Sequence, residues 1–242
     1  MYAVEALNLT KRYKEITAVS SLDLKIEEGE LFSLLGVNGA GKTTTVKMLS
    51  LLTEPTDGEI LFFGEQIGAD KCTVKEKLAV SPQETAVAPN LSVWENLDFV
   101  CGLYGFSNEV RERKIRDIAS MLGLDAVIKR RAGKLSGGWQ RRLSIAMALI
   151  SEPKILFLDE PTLGLDVLAR SELWEIIRSL KGRATVVLTT HYMEEAEALS
   201  DRIGIMNNGR LLVVGTPREL MDKTGTCKVE DAFVKIVKEA SV

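Results

Sequence analysis

The chain has 242 residues, 45% of them hydrophobic, with 31 Lys and Arg against 34 Asp and Glu and a net charge of −3. That size and apolar share suit one large domain, or one domain with a lobed insertion, and argue against a disordered chain. The charge balance lacks the basic surplus of a dedicated nucleic-acid binder, so no nucleic-acid partner is expected. Along the chain, Leu22, Leu24 and Ile26 alternate with Asp23, Lys25 and Glu27, the period of a half-buried strand. Gly29 turns the chain into the apolar run Leu31–Leu35. A glycine-rich loop follows, then a helix over Lys42–Leu52. Pro55 and Gly58 mark a turn before a short strand, Ile60–Phe63. Ser92 and Glu95 have capping-box spacing ahead of a helix containing Leu97, Val100 and Tyr104. Ile115, Ile118, Ala119 and Leu122 form a helical stripe that Gly123 closes as a C-cap. Residues 85–150 therefore read as a helical lobe set into an α/β core.

From Lys154 the pattern returns to buried strand, helix, buried strand. Ile155–Leu158 and Thr185–Leu188 are continuous apolar runs, as in parallel strands covered on both faces. Leu173, Ile176, Ile177 and Leu180 give the face of the helix between them. Asn208-Gly209, between Ile203–Met206 and Leu211–Val214, is a hairpin signal. Thr216, Pro217 and Glu219 open a last helical tail, 216–242. Cys72, Cys101 and Cys227 are odd in number and lack metal-ligand spacing, so they read as reduced thiols of a cytosolic protein. No apolar stretch approaches the roughly 18–20 residues that cross a bilayer. The start, Met1-Tyr2-Ala3-Val4-Glu5, lacks the regions of a signal peptide. Action at a membrane would need a partner to hold the chain there.

Gly36-Val37-Asn38-Gly39-Ala40-Gly41-Lys42-Thr43 matches the phosphate-loop pattern G-x-x-x-x-G-K-[ST]. It lies after an apolar strand and before a helix, where backbone N–H groups and the positive helix end can meet phosphate oxygens. Lys42 is expected to reach the β- and γ-phosphates and Thr43 to ligate Mg²⁺. Ile155-Leu156-Phe157-Leu158-Asp159-Glu160 delivers two carboxylates at a strand's C-terminal end, where α/β sheets bind ligands. Asp159 is expected to hold Mg²⁺, and Glu160 to polarise the attacking water as general base. His191, the one histidine of the sequence, directly follows the strand Thr185–Leu188. A neutral imidazole there can hydrogen-bond phosphate and the neighbouring loop.

Leu135-Ser136-Gly137-Gly138-Trp139-Gln140 carries the inference further. Ser136 can cap the next helix, and two glycines let its N-terminus approach an anion. Together with the phosphate loop and the Asp159-Glu160 strand, this hexamer closely resembles the signature of ATP-binding-cassette ATPases, and the resemblance spans essentially the whole chain. It implies an α/β fold: a phosphate-loop NTPase core with a mainly parallel sheet, an N-terminal antiparallel β subdomain and an inserted helical lobe, in one domain over 1–242. Tyr13 resembles the aromatic that stacks on adenine. Gln83, after Ser81-Pro82, resembles the glutamine of the loop joining core to lobe, which serves both catalysis and Mg²⁺. Leu163-Gly164-Leu165-Asp166 resembles the loop crossing the dimer interface, and His191 the switch histidine. The resemblance further implies ATP contacts from Gly36, Asn38, Gly39, Ala40, Gly41, Lys42, Thr43 and Thr44, and from Ser136, Gly137, Gly138, Gln140 and Asp166. Leu163 departs from the serine or alanine common in the family.

In that family two cassettes face each other head to tail, each ATP lying between the phosphate loop of one chain and Ser136, Gly137 and Gly138 of the other. The expected partners are thus a second ATP-binding subunit and an integral membrane permease, with the chain held at the cytoplasmic face. Glu160-Pro161-Thr162-Leu163-Gly164-Leu165-Asp166 and Thr190-His191-Tyr192-Met193-Glu194-Glu195-Ala196-Glu197 look most like the branch exporting drugs, sodium, polysaccharide or antibiotics. The alternative is a non-transport cassette ATPase of chromosome maintenance, repair or translation. The first two carry a long coiled coil between the Gln83 and Ser136 regions, where this chain shows no sustained heptads. The translation factors carry two cassettes in one chain.

Overall fold

In a computed structural model, residues 1–66 and 71–240 are described. The last two residues of the expected tail, 241–242, lie outside the described residues. Strand β1 (Tyr2–Tyr13) turns back into β2 (Ile16–Glu27), where Leu22, Leu24 and Ile26 are buried and Asp23, Lys25 and Glu27 exposed, the expected alternation. Strand β3 (Leu31–Leu35) is buried at every position, and α1 (Lys42–Leu49) follows. This helix ends short of Leu52. Leu51 takes a left-handed φ of 59°, and the N–H groups of Leu52 and Thr53 fold back onto the Lys47 carbonyl at 2.9 and 3.0 Å. Strand β4 (Asp57–Phe62) also stops before Phe63, whose φ of 54° starts the turn into β5 (Glu65–Gln66).

After α2 (Lys71–Lys75) comes β6 (Leu78–Ser81), an apolar run too short for periodicity to identify. Helices α3 (Val93–Leu103), α4 (Asn108–Met121) and α5 (Gly137–Leu149) are inserted between β6 and β7 (Ile155–Asp159). The capping box at Ser92 forms, with Glu95 N–H on Ser92 Oγ at 3.2 Å and Ser92 N–H on Glu95 Oε2 at 2.7 Å. Gly123 has the left-handed φ of 65° suited to a residue beyond a helix end. The chain continues through α6 (Val167–Ser179), β8 (Thr185–Thr190), α7 (Met193–Leu199), β9 (Arg202–Asn207) and β10 (Arg210–Gly215). Asn208 and Gly209, at φ 47° and 75°, make the two-residue turn between the last two strands. Helices α8 (Pro217–Thr224), with its Thr216–Glu219 capping box, and α9 (Val229–Glu239) complete the fold.

The strands form two sheets. One is antiparallel, in the order β2-β1-β4-β5; the other runs β10-β9-β3-β8-β7-β6 and is parallel except for β10. The α/β fold with a parallel-rich sheet and a separate antiparallel sheet is thus the one expected. Successive residues of a strand face opposite sides. Leu156 and Leu158 of β7 therefore join the apolar cluster that runs into the helical insertion, whereas Ile155 and Phe157 join the cluster under α1 and the antiparallel sheet. Burial on both faces makes this sheet the rigid base for everything attached to its strand ends. Among the described residues, no helix is long and apolar enough to cross a membrane.

Candidate active site

Four neighbouring parallel strands, β3, β8, β7 and β6, end on the same side of the sheet, the side where open α/β sheets bind ligands. After β3 comes the loop 36–41, tied to β8 by the Gly36 N–H on the Thr190 carbonyl at 3.2 Å and to the β9–β10 turn by the Gly209 N–H on the Ala40 carbonyl at 3.0 Å. A side chain at Gly36 would put its Cβ 2.5 Å from the Met206 carbonyl oxygen. At Gly41, whose φ is 100°, a Cβ would lie 2.6 Å from the Ala18 carbonyl oxygen. At Gly36 and Gly41 the loop thus approaches its surroundings as backbone only, and it leads into the N-terminus of α1, whose first-turn N–H groups have no partner inside the helix.

A cleft of about 680 Å³ opens here. Asn38, Gly39, Ala40, Gly41, Lys42, Thr43 and Thr44 form one wall, and Gln83, Glu160 and His191 stand in the others. Lys42 is buried, its ammonium donating to the carbonyls of Gly36 at 2.8 Å and Val37 at 3.2 Å and lying 3.4 Å from Glu160 Oε1. Thr43 Oγ1 donates to Asp159 Oδ1 at 3.1 Å, and Thr189 Oγ1 donates to the same oxygen at 2.5 Å. Asp159 sits behind Thr43 and is only 6% exposed.

Glu160 is the strained member. Its φ is +46°, a left-handed backbone that non-glycine residues adopt at a cost of about 1–3 kcal/mol and that clusters at functional sites. Its N–H donates to both the carbonyl (3.2 Å) and Oγ1 (3.0 Å) of Thr189, which holds the residue in that conformation. The carboxylate is thereby shared between Lys42 and His191, whose Nδ1 lies 3.0 Å from Oε2. An ionised carboxylate only accepts, so Nδ1 carries the proton against it and Nε2 of a neutral ring is an acceptor.

Other expected residues stand apart from this cleft. Tyr13 is exposed beside Lys11, whose ammonium lies 5.1 Å from the ring centroid; the neighbouring Ile16, Thr17 and Ala18 line the cleft instead. Ser136 occupies the N-cap position of α5, but its hydroxyl makes no capping hydrogen bond and the residue is exposed, so the expected side-chain cap is not formed. Gln140 Nε2 donates to the Ala132 carbonyl at 3.1 Å and the Leu135 carbonyl at 3.3 Å, holding the approach to Ser136. Asp166 caps α6 through the Ala169 N–H at 2.9 Å. Gly137 is not required by its own chain: an added Cβ would find its nearest neighbour, Leu165 Cδ2, at a relaxed 3.8 Å.

Ile16, Thr17, Ala18, Asn208 and Gly209 line the cleft although their sequence does not assign them to it, and Leu163, expected in the interface loop, lines it as well. The Asn208-Gly209 turn was legible, but nothing in its sequence says that its tip meets Ala40. The donor set suits a polyphosphate with a hard divalent cation: a buried ammonium, a helix N-terminus, and a hydroxyl and carboxylate converging within hydrogen-bond distance.

Comparison with known proteins gives the same picture. A family model described as ABC transporter matches residues 19–163. The linearmycin resistance ATP-binding protein LnrL of Bacillus subtilis (strain 168) is 36% identical over 238 residues, 98% of this chain and 76% of that protein. The Nod factor export ATP-binding protein I of Rhizobium etli is 37% identical over 234 residues, 96% of this chain and 74% of that protein. A solved dimeric ATP-binding cassette in a post-hydrolysis state, bound to ADP and Pi, superposes with a TM-score of 0.79 at 28% identity, covering 88% of this chain and 98% of the other.

Proposed function

The chain belongs to the ABC transporter family as an ATP-binding ATPase subunit, and from that premise we propose that it drives a membrane permease, two such subunits closing head to tail on ATP. The observation that carries this reading is the contrast between a connected hydrolytic group, Lys42, Thr43, Asp159, Glu160 and His191, and an exposed helix start at Ser136 that its own chain leaves unused. Lys42 exchanges the Gly36 and Val37 carbonyls for phosphate oxygens of ATP, and the loop amides of 38–43 bind the rest of the polyphosphate. Thr43 and Asp159, with Gln83, hold Mg²⁺. When bound, the ion neutralises charge building on the β- and γ-phosphate oxygens.

Glu160 orients a water and accepts its proton, and its strained backbone and the Nδ1–H of His191 fix where its carboxylate points. His191 offers a donor to phosphate when its ring is charged or when it has turned that N–H away from Glu160. Tyr13 covers the adenine. Ser136, Gly137, Gly138 and Gln140 serve the ATP held by the partner chain, and Asp166 keeps the loop between them in place.

A groove of about 380 Å³ beside Gln83, walled by Leu51, Leu52, Pro82, Ala86, Tyr104 and Met147, suits an apolar segment of the permease. The chain then works at the cytoplasmic face, held there by that partner. Export is the direction supported by likeness to the Nod factor export protein and by the Glu160–Asp166 and Thr190–Glu197 motifs.

Mixing two dead variants tests the shared site. Lys42→Ala ruins the phosphate loop, and Ser136→Arg blocks the signature helix start. Either variant alone is expected to be nearly inactive. Mixed in equal amounts, they should regain about a quarter of wild-type sites, since random pairing in a two-fold dimer yields a heterodimer with one intact site. Light scattering with ATP follows the dimer itself. Recovery of neither dimer nor hydrolysis would overturn the head-to-tail arrangement.

A further inference from the structure

Arg141 has no part in the hydrolytic group described above. It lies in the second turn of α5 and is only 5% exposed. Its guanidinium reaches the segment that follows β6. Nη1 donates to the Pro82 carbonyl at 2.6 Å, and Nη2 to the Gln83 carbonyl at 2.5 Å. Three residues on, and so on the same helix face, Ser144 Oγ meets Ser81 Oγ at 3.0 Å. Residues 81, 82 and 83 are thus held at three consecutive points by one face of α5.

This attachment is costly. Both acceptors of Arg141 are backbone carbonyls that carry no charge, and taking a cation out of water without a direct ion pair is expensive. Burial accordingly lowers the proton affinity of the guanidinium, with the negative charge of Asp159 acting in the opposite direction. An apolar side chain of similar length would fill the space more cheaply if packing were the only requirement. What the two hydrogen bonds supply is a defined backbone for Gln83, whose own side chain is exposed in the cleft wall.

We propose that Arg141 is a positioning residue for ATP hydrolysis, fixing the Pro82–Gln83 backbone on α5 so that the Gln83 side chain is delivered into the cleft. The inference rests on the reading of that cleft as the hydrolytic site. It is tested on the full chain with Arg141→Met, Arg141→Lys, Gln83→Ala and the double variant Arg141→Met/Gln83→Ala. Arg141→Met should keep KM for ATP within about twofold while kcat falls about 10–100-fold, the loss typical of a misplaced catalytic group. Hydrogen exchange over residues 82–88 of the nucleotide-free protein should speed up, with β7 and β8 unchanged. The double variant should be no slower than the slower single variant, because both act through one side chain. Arg141→Lys, which keeps the charge and one donor, should recover part of kcat, and it decides the matter if Arg141→Met does not fold. Unchanged kcat in Arg141→Met, no effect of Gln83→Ala, or losses that multiply in the double variant would each overturn the proposal. Glu160→Gln run in parallel separates the two ideas. If it still hydrolyses ATP, the reading of the cleft fails; if it is inactive and the Arg141 and Gln83 losses multiply, only the role of Arg141 falls.

Discussion

The phosphate-loop half of the site and the signature half are built on opposite plans. Around Lys42 the side chains are buried or half-buried and already engaged with one another: Thr43 with Asp159, Asp159 with Thr189, Glu160 with Lys42 and His191. Around Ser136 the surface is open, the N-cap hydroxyl makes no capping bond, and Gly137 has room for a side chain that it lacks. In the first half, the fold and the chemistry use the same residues. In the second, Gln140 and Asp166 still hydrogen-bond within the chain and a Cβ at Gly138 would lie 3.1 Å from Ala169 Cβ, so the open part is confined to Ser136 and Gly137, the part that the proposed partner chain would meet.

The sharpest way to break the comparison is to disable the chemistry of the buried half without disturbing its packing. Glu160→Gln keeps the shape and the left-handed backbone but cannot take a proton. It should bind ATP normally, accumulate as an ATP-bound dimer, and hydrolyse about 10²–10⁴-fold more slowly. Turnover at the wild-type rate would remove Glu160 from the role of base.

A pair of glycine substitutions comes next in size. Gly41→Ala forces a side chain onto a φ of 100° with its Cβ 2.6 Å from a carbonyl oxygen, so unfolding stability should drop by about 1–3 kcal/mol or more. Gly137→Ala meets nothing closer than 3.8 Å and should change stability by no more than about 0.5–1 kcal/mol, the latter if the helix gains propensity, yet impair ATP-dependent dimerisation. Denaturant melts together with light scattering read both quantities. Equal destabilisation of the two variants would erase the distinction between the halves.

The smallest effect concerns Glu195, which is fully buried and whose Oε1 accepts from Trp174 Nε1 at 3.1 Å. Burial raises its pKa from the ordinary 4.5, with hydrogen bonds from Thr190, Thr162 and Trp174 and the charge of Arg170 opposing the rise. A carboxyl whose folded pKa is raised contributes stability that is complete below its unfolded pKa and is lost as pH rises through the folded one. Glu195→Gln, which cannot ionise, should therefore have a higher Tm than the wild type at neutral pH, with the gap closing as pH falls towards about 4.5. A gap that does not vary with pH would mean that Glu195 titrates as an exposed carboxylate does.

Features made by neighbours in the chain were legible from the residues alone. The phosphate loop, the Ser92–Glu95 and Thr216–Glu219 boxes, the Asn208-Gly209 turn and the buried runs of β7 and β8 each depend on interactions a few residues apart, so their spacing is their signature. The end of α1 was not, because Leu52 would continue the apolar pattern while the backbone at Leu51 turns away. Tertiary structure alone decided that Gly209 braces Ala40, that Ile16 and Thr17 wall the cleft, and that Arg141 grips residues 58 and 59 positions earlier in the chain. It also decided that Glu160 is held in a left-handed backbone by Thr189 and that the Ser136 hydroxyl does not cap its helix. The physical reason is one of range. A cap or a turn satisfies its hydrogen bonds locally and leaves a pattern of residue types, whereas a contact across the sheet requires only a donor and an acceptor brought together by packing, and any of many sequences could supply them.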